Sequence, residues 1–314
     1  MQMAASKSII QPVISVDSVS KVYAGETVVS EVDFKVQPGE CVVLVGHNGA
    51  GKTTLMKLML GLTRPSSGTV KVFGGNPAVS GAVAQHKSLG YLPESVAFYD
   101  AMSGREVLAF YARLKGVSSN DCERLLESVG LGGAAGRRVG TYSKGMRQRL
   151  GLAQAMLGNP RLLFLDEPTT GLDPGLRHQF YELIDAMHKE GVTSLISSHA
   201  LSEVEARANR FIIMKAGVMI AGGTLDELYL QAALPVRLQL SVAAGQASSI
   251  AERLGSGLTI DEIGDERLHL SCFNGDKMPL IRRISALGDL VSDLQIMPPR
   301  LDEVYSHFMN GDRP

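Results

Sequence analysis

The chain has 314 residues, enough for one sizeable core and a smaller appendage, because a single hydrophobic core stops growing at about 250–300 residues. Thirty-one Lys and Arg face 32 Asp and Glu, so no global field favours nucleic acid or anionic lipid, and partners must be recognised by local sites. The hydrophobic share of 45 % is ordinary for a globular protein, and the longest apolar runs (41–45, 162–165 and 211–214) fall far short of the roughly 20 residues that span a bilayer.

Residues 1–12 carry lysine but no apolar stretch before a small-residue cleavage site, and read as a flexible cytoplasmic tail. From Val13 to about Gly223, short β-rich runs alternate with helical patterns, the signature of an α/β domain with a largely parallel sheet. Strands are expected at 41–45, 162–165, 193–197 and 211–215. A helix follows Pro174, with Leu176, Phe180, Leu183, Ile184 and Met187 on one face, and stops at Gly191. Between about 95 and 157 the β signal gives way to a helical insert broken by glycines at 130–136.

Beyond Asp226 the pattern changes. Val236, Leu238, Leu240 and Val242 alternate as a strand, a helix follows near 248–254, and a second strand (Leu268, Leu270, Cys272) and helix (near 280–287) repeat the theme. The expected division is therefore a 13–228 nucleotide-type domain and a small α+β domain at 235–314. After the Pro298-Pro299 break, Leu301, Val304, Tyr305 and Phe308 share helical spacing; packing onto their own domain is the ordinary reading, a dimer contact the sharper one. Cys41, Cys122 and Cys272 are far apart without a CxxC pair, which suits a reducing compartment. Neither they nor the seven histidines show metal-ligand spacing, so no metal site of that kind is expected.

Two segments carry chemistry. Gly46-His47-Asn48-Gly49-Ala50-Gly51-Lys52-Thr53 matches G-x-x-x-x-G-K-[ST], follows the 41–45 strand and opens a helix. Such a loop turns backbone N–H groups inward around phosphate oxygens at the positive end of a helix. Asn48, Gly49, Ala50, Gly51, Lys52, Thr53 and Thr54 are thus the candidate nucleotide-binding residues, with Lys52 on the β- and γ-phosphates and the Thr53 hydroxyl on magnesium. A chance match in a chain of this length has a probability on the order of one per cent, so coincidence is a poor account. The second segment, 162–167, is an apolar strand ending in Asp166 and Glu167, where α/β sheets bind ligands. Alone, such a pair is often solvated charge. Beside a P-loop, Asp166 is placed to hold magnesium and Glu167 to orient or deprotonate the attacking water.

Thr141-Tyr142-Ser143-Lys144-Gly145-Met146-Arg147-Gln148-Arg149 resembles the signature segment of ABC ATPases, and the resemblance covers about residues 13–225. It implies a RecA-like P-loop NTPase core with an antiparallel β subdomain and a helical insert, ATP and Mg2+ as ligands, and ATP hydrolysis coupled to transport. Of the family pattern Leu-Ser-Gly-Gly-Gln, only Ser143 and Gly145 are kept, the two that contact the γ-phosphate in the family; Lys144 and Met146 bear on geometry and rate. Ser143 also suits a helix cap, with Met146, Leu150, Ala153 and Leu157 as the buried stripe behind it. In the family this segment completes the site of a second copy, so a homodimer that sandwiches ATP is implied, and one chain alone should hydrolyse poorly.

The same resemblance assigns Tyr23 to adenine stacking, Asp173 in Gly171-Leu172-Asp173 to contact across the dimer, and His199 to the γ-phosphate and the water. Glu94 stands where many members have a glutamine reaching magnesium; a carboxylate can ligate the metal but cannot donate a hydrogen bond. Residues 98–100 and 103–106 lie where the family receives a coupling helix from an integral membrane subunit.

Finer details (residues 46–49, 90–94 with Phe98 and Tyr99, 103–106 and 142–146) resemble the ATPases of nitrous-oxide reductase maturation. That resemblance implies a peripheral subunit on the cytoplasmic face of a bacterial inner membrane, a periplasmic partner through the complex, and copper–sulfur delivery. Met56 and Met59 sit beside Leu55 and Leu58 on the P-loop helix and read as core, not copper ligands. An exporter of lipid, drug or polysaccharide is the alternative, since nothing in a nucleotide site encodes cargo. A soluble ABC protein acting on nucleic acid or ribosomes is disfavoured: only about 90 residues separate Lys52 from Ser143, there is one ATPase unit, and the charge is balanced.

Overall fold

The computed structural model describes residues 11–79, 86–255 and 258–311, so the reading of a flexible tail at 1–12 falls almost wholly outside them. The chain divides into two compact units, 1–222 and 223–314.

The first unit opens with β1 (Ile14–Tyr23) and β2 (Glu26–Val36), followed by β3 (Cys41–Val45), α1 (Lys52–Met59), β4 (Ser67–Val72) and β5 (Leu89–Leu92). The insert then supplies α2 (Gly104–Lys115), α3 (Cys122–Ser128) and α4 (Lys144–Met156), with no strand between β5 and residue 162. The unit closes with β6 (Leu162–Asp166), α5 (Pro174–Lys189), β7 (Thr193–Ser198), α6 (Leu201–Val204), β8 (Arg210–Lys215) and β9 (Val218–Gly223).

Two sheets result. β2-β1-β4 is antiparallel, and β5-β6-β7-β3-β8-β9 is the main sheet, with parallel pairing from β5 through β8. β3 and β6 are buried at every position, as expected of central parallel strands covered on both faces. α1 lies between the sheets: Leu55, Met56, Leu58 and Met59 join one core with Val32 and Val70 of the antiparallel sheet and Leu44 and Phe164 of the main sheet. The two methionines are fully buried core residues.

α4 is seated directly on β5. A Cβ at Gly90 would come within 2.2 Å of the Ala155 carbonyl, and one at Gly151 within 2.7 Å of Leu92. Glycine at both positions lets the helix and strand touch, which ties the segment at Ser143 rigidly to the strand that leads to Glu94.

The second unit comprises α7 (Leu225–Ala232), β10 (Val236–Val242), α8 (Ala247–Leu254), β11 (Thr259–Ile263), β12 (Arg267–Cys272), α9 (Lys277–Ser285), β13 (Val291–Met297) and α10 (Leu301–Asn310). From β10 to β13 it is a β-α-β-β-α-β unit with antiparallel order β11-β12-β10-β13, a ferredoxin-like arrangement. Leu238, Leu240, Leu268 and Leu270 pack under Ile250, Leu254, Leu280 and Ile284. The sequence reading starts this domain at 235; the structure begins it at Gly223, because the capping box of Thr224 and Glu227 starts α7, which packs on α10 within the same unit. Leu301 and Val304 of α10 are buried there.

Candidate active site

Parallel pairing determines where the chemistry meets. β3 lies beside β7, with Val45 opposite Ser198, and β7 beside β6, with Ser197 opposite Asp166. The carboxyl ends of these three strands therefore bring the 46–53 loop, the Asp166-Glu167 pair and the 197–199 segment side by side, where open α/β sheets bind ligands.

The loop is built for close approach. Gly51, which caps α1, has φ 95°, and a Cβ there would lie 2.8 Å from the Val28 carbonyl. Only glycine accepts that backbone without strain. Lys52 follows as a buried lysine, which is rare unless the ammonium is paired. Its Nζ donates to the Gly46 carbonyl at 2.6 Å and stands 3.5 Å from Glu167 Oε1. A cavity of about 280 Å³ is lined by residues 47–54 with Val28, Glu94 and Glu167. A roomier cavity of about 350 Å³ lies among Leu60, Leu89, Tyr111 and Leu157, but no carboxylate lines it and no loop amide cradle opens onto it. The smaller one is the candidate site.

Thr53 Oγ1 donates to Asp166 Oδ2 at 2.9 Å. Ser197 Oγ donates to the other oxygen, Oδ1, at 2.5 Å. Glu167 follows with φ 45°, a left-handed backbone that costs a non-glycine residue about 1–2 kcal/mol and is typical of functional corners. Its N–H donates to the Ser197 hydroxyl at 2.9 Å and to the Ser197 carbonyl at 3.2 Å. Its Oε2 meets His199 Nδ1 at 2.7 Å, while Oε1 is buried without a hydrogen-bond partner. His199 is largely exposed and sits on a turn in which the Ser198 hydroxyl accepts from the Ala200 N–H. Tyr91, on the adjacent β5, has its hydroxyl pushed up to about 12, first by burial and then by the charge of Asp166.

Among the described residues no group of three or more His, Cys, Asp or Glu could hold a metal ion. The donor set here is instead one hydroxyl and one or two carboxylates, which is what Mg2+ uses when phosphates and water complete its shell. Two neighbouring ligands of an octahedral Mg2+ stand about 2.9 Å apart, and Thr53 Oγ1 and Asp166 Oδ2 are separated by 2.9 Å. Glu167, whose Oε1 has no hydrogen-bond partner and stands 3.5 Å from Lys52 Nζ, lines the same cavity as Thr53, and the residues fit the ion.

Ser143, Gly145 and Asp173 do not line this cavity and form a second cluster. Ser143 Oγ caps α4 by accepting from the Met146 N–H at 3.2 Å, and Asp173 Oδ1 caps α5 by accepting from the Leu176 N–H at 3.0 Å. The two helix starts touch: a Cβ at Gly145 would contact Leu172 and Leu176, and Lys144 lies over Gly171. Tyr23 ends β1 half-exposed, with Lys21 Nζ over its ring at 4.7 Å from the centroid. Ser197 was not among the expected residues. The available signal was β7 itself, Thr-Ser-Leu-Ile-Ser-Ser, which is buried throughout although four of its six side chains carry hydroxyls. Buried hydroxyls need partners.

A family profile described as "ABC transporter" matches residues 29–170. The ABC transporter ATP-binding protein YxlF of Bacillus subtilis is 42 % identical over 221 residues, covering 68 % of this chain and 72 % of its own length. The doxorubicin resistance ATP-binding protein DrrA of Mycobacterium tuberculosis is 34 % identical over 308 residues, covering 93 % of this chain and 92 % of its own. A solved ATP-binding subunit of an ABC transporter superposes with a TM-score of 0.65 at 33 % identity, over 70 % of this chain and 92 % of that one. A dimeric ATP-binding cassette in a post-hydrolysis state with ADP and Pi shares the fold at 20 % identity and a TM-score of 0.63, over 68 % of this chain and 98 % of that one.

Proposed function

The chain belongs to the ABC transporter family as an ATP-binding, ATP-hydrolysing subunit, and we propose that two copies close around ATP, each P-loop site being completed by Ser143 and Gly145 of the other copy. The observation that carries this reading is the separation of two half-sites in one chain: the phosphate cradle with Asp166 and Glu167, and the paired helix starts at Ser143 and Asp173 that do not line it.

Within the closed site, the loop amides and Lys52 bind the β- and γ-phosphates, and Thr53 and Asp166, with Glu94 at the cavity wall, hold Mg2+. Bound there, the ion neutralises charge that develops on the transferring phosphoryl group. Glu167, held by His199 through Oε2, turns Oε1, which has no hydrogen-bond partner and stands 3.5 Å from Lys52 Nζ, to take a proton from the attacking water once the phosphates engage Lys52. His199 orients that carboxylate and reaches the γ-phosphate; Tyr23 stacks on adenine; Asp173 signals across the dimer. The test is subunit mixing. Lys52→Ala and Ser143→Ala chains should each be nearly inactive, while their mixture regains activity through heterodimers with one intact composite site. Absence of recovery in a mixture shown to contain heterodimers would refute a shared site.

Hydrolysis drives an integral membrane subunit. No helix among the described residues is long and apolar enough to cross a membrane. A cleft of about 300 Å³ among Ala97, Phe98, Tyr99, Met102, Phe110 and Tyr111, with Tyr99 71 % exposed, suits an apolar coupling helix on the cytoplasmic face of the inner membrane. For cargo, the motifs at 46–49, 90–94, 98–99, 103–106 and 142–146 support a role like that of NosF, supplying copper–sulfur centres to nitrous-oxide reductase together with a periplasmic partner. Export of a drug or lipid is the second reading, favoured by the 308-residue match to the doxorubicin resistance protein, which extends through the second unit. Deleting the gene separates them: loss of the reductase's copper-centre absorbance supports the first, and drug sensitivity with an intact reductase supports the second.

A further inference from the structure

Ser197 is completely buried on β7, in register with Asp166. In the middle of a sheet covered on both faces, an apolar side chain would serve packing better, and a hydroxyl is tolerated only when its hydrogen-bonding capacity is used. Here it is used twice. The hydroxyl donates to Asp166 Oδ1 at 2.5 Å and accepts the N–H of Glu167 at 2.9 Å. It is a bridge between the carboxylate of one residue and the backbone of the next.

Both ends of the bridge matter. Asp166 is 1 % exposed, so Oδ1 would be left buried without a hydrogen-bond donor if the hydroxyl were removed. With Oδ1 taken by Ser197, the carboxylate cannot swing to offer both oxygens to one ion, and only Oδ2 faces Thr53 Oγ1. That enforces single-oxygen ligation, as suits an ion that tolerates little departure from octahedral geometry. At the other end, Glu167 holds a left-handed backbone at φ 45°, and a strained corner persists only when its surroundings over-determine it. The hydrogen bond from its N–H to Ser197 is one of those constraints. The next residue does something else: the Ser198 hydroxyl accepts from the Ala200 N–H and holds the turn that carries His199.

We propose that Ser197 is a positioning residue of the ATPase site: its hydroxyl locks Asp166 into single-oxygen metal ligation and holds the backbone corner that aims Glu167. It is fully buried and does not line the cavity of the 46–53 loop. The inference rests on the reading of Asp166 as the Mg2+ ligand. Outer hydrogen-bond partners of metal ligands typically carry about 10–100-fold in metal affinity or activity, and that range is expected here.

The test uses the full-length chain with a non-hydrolysable ATP analogue and Mn2+ as the spectroscopic probe, titrated by electron paramagnetic resonance, so that binding is read without turnover. Ser197→Ala should weaken Mn2+ binding about 10-fold or more, leave metal-free nucleotide affinity unchanged, and lower kcat with little change in KM at saturating metal. Ser197→Thr, which keeps the hydroxyl on a strand-favouring side chain, should recover most of the loss. Asp166→Asn is measured alongside. If it weakens Mn2+ binding while Ser197→Ala stays within about threefold of the parent, well below the range for such partners, the inference about Ser197 is overturned and the reading of Asp166 stands. Should Asp166→Asn itself leave Mn2+ binding unchanged, the metal-ligand reading fails and this inference fails with it. Equal loss of metal-free nucleotide binding in Ser197→Ala would indicate a general lesion and also overturn it.

Discussion

Replacing Glu167 with Gln separates binding from chemistry in this site. The amide keeps the shape of the carboxylate, so the contact of Oε2 with His199 at 2.7 Å can be made by the amide, and the left-handed backbone at φ 45° is no harder for Gln than for Glu. What disappears is basicity at Oε1, the buried oxygen without a hydrogen-bond partner. A positioned general base contributes about 10²–10⁴-fold, equivalent to about 2.7–5.4 kcal/mol of activation barrier at 1.36 kcal/mol per tenfold. Binding should move the other way. The lost charge sits 3.5 Å from Lys52 Nζ and lines the phosphate cavity, so its removal frees Lys52 and relieves repulsion toward the γ-phosphate. Phosphate release at saturating Mg-ATP should fall at least 100-fold, while size-exclusion chromatography with ATP shows a longer-lived dimer. A release rate within tenfold of the parent would refute Glu167 as the base.

Lys52→Ala should abolish the rise in thermal midpoint that Mg-ATP gives the parent, because a ligand at 100 times its Kd stabilises the folded state by about 2.7 kcal/mol and the variant loses the ammonium proposed to bind the phosphates; an undiminished rise would place the nucleotide elsewhere. A pH dependence is expected from Lys115, whose ammonium donates to the Leu89 and Leu157 carbonyls and is pulled down to about 8 by burial, from an ordinary 10.5. Between about pH 8 and 10.5 the unfolded chain holds a proton that folded Lys115 has released, so stability gains from this group as pH rises through that window and its full penalty is felt below it. Denaturant titrations of the parent and Lys115→Met across the window should show the variant losing that rise; parallel profiles would count against a depressed Lys115.

Much of the site was legible because its motifs are local. The 46–53 loop demands glycine for backbone reasons that hold wherever the loop is, as φ 95° at Gly51 illustrates. Ser143 and Asp173 announce helix starts within three residues of themselves. β3, β6 and β10 declare burial on two faces or one by their composition alone. β11 and β13 escaped notice because they are edge strands: every residue of β11 is exposed, so no alternation of apolar and polar residues marks it.

A P-loop, a strand ending in Asp166 and Glu167, and a helix capped by Ser143 are each written in a short local segment. How the three combine depends on pairing between segments far apart in the chain. Thr53 and Asp166 are 113 residues apart in sequence and meet at 2.9 Å, and the pairing of β6 with β7 selects Ser197, rather than Ser194 or Ser198 of the same buried strand, to grip Asp166. The physical reason is register. A one-residue slip in a strand turns every side chain to the other face, so the partner of a carboxylate is decided by pairing across the sheet and not by any property of its own segment.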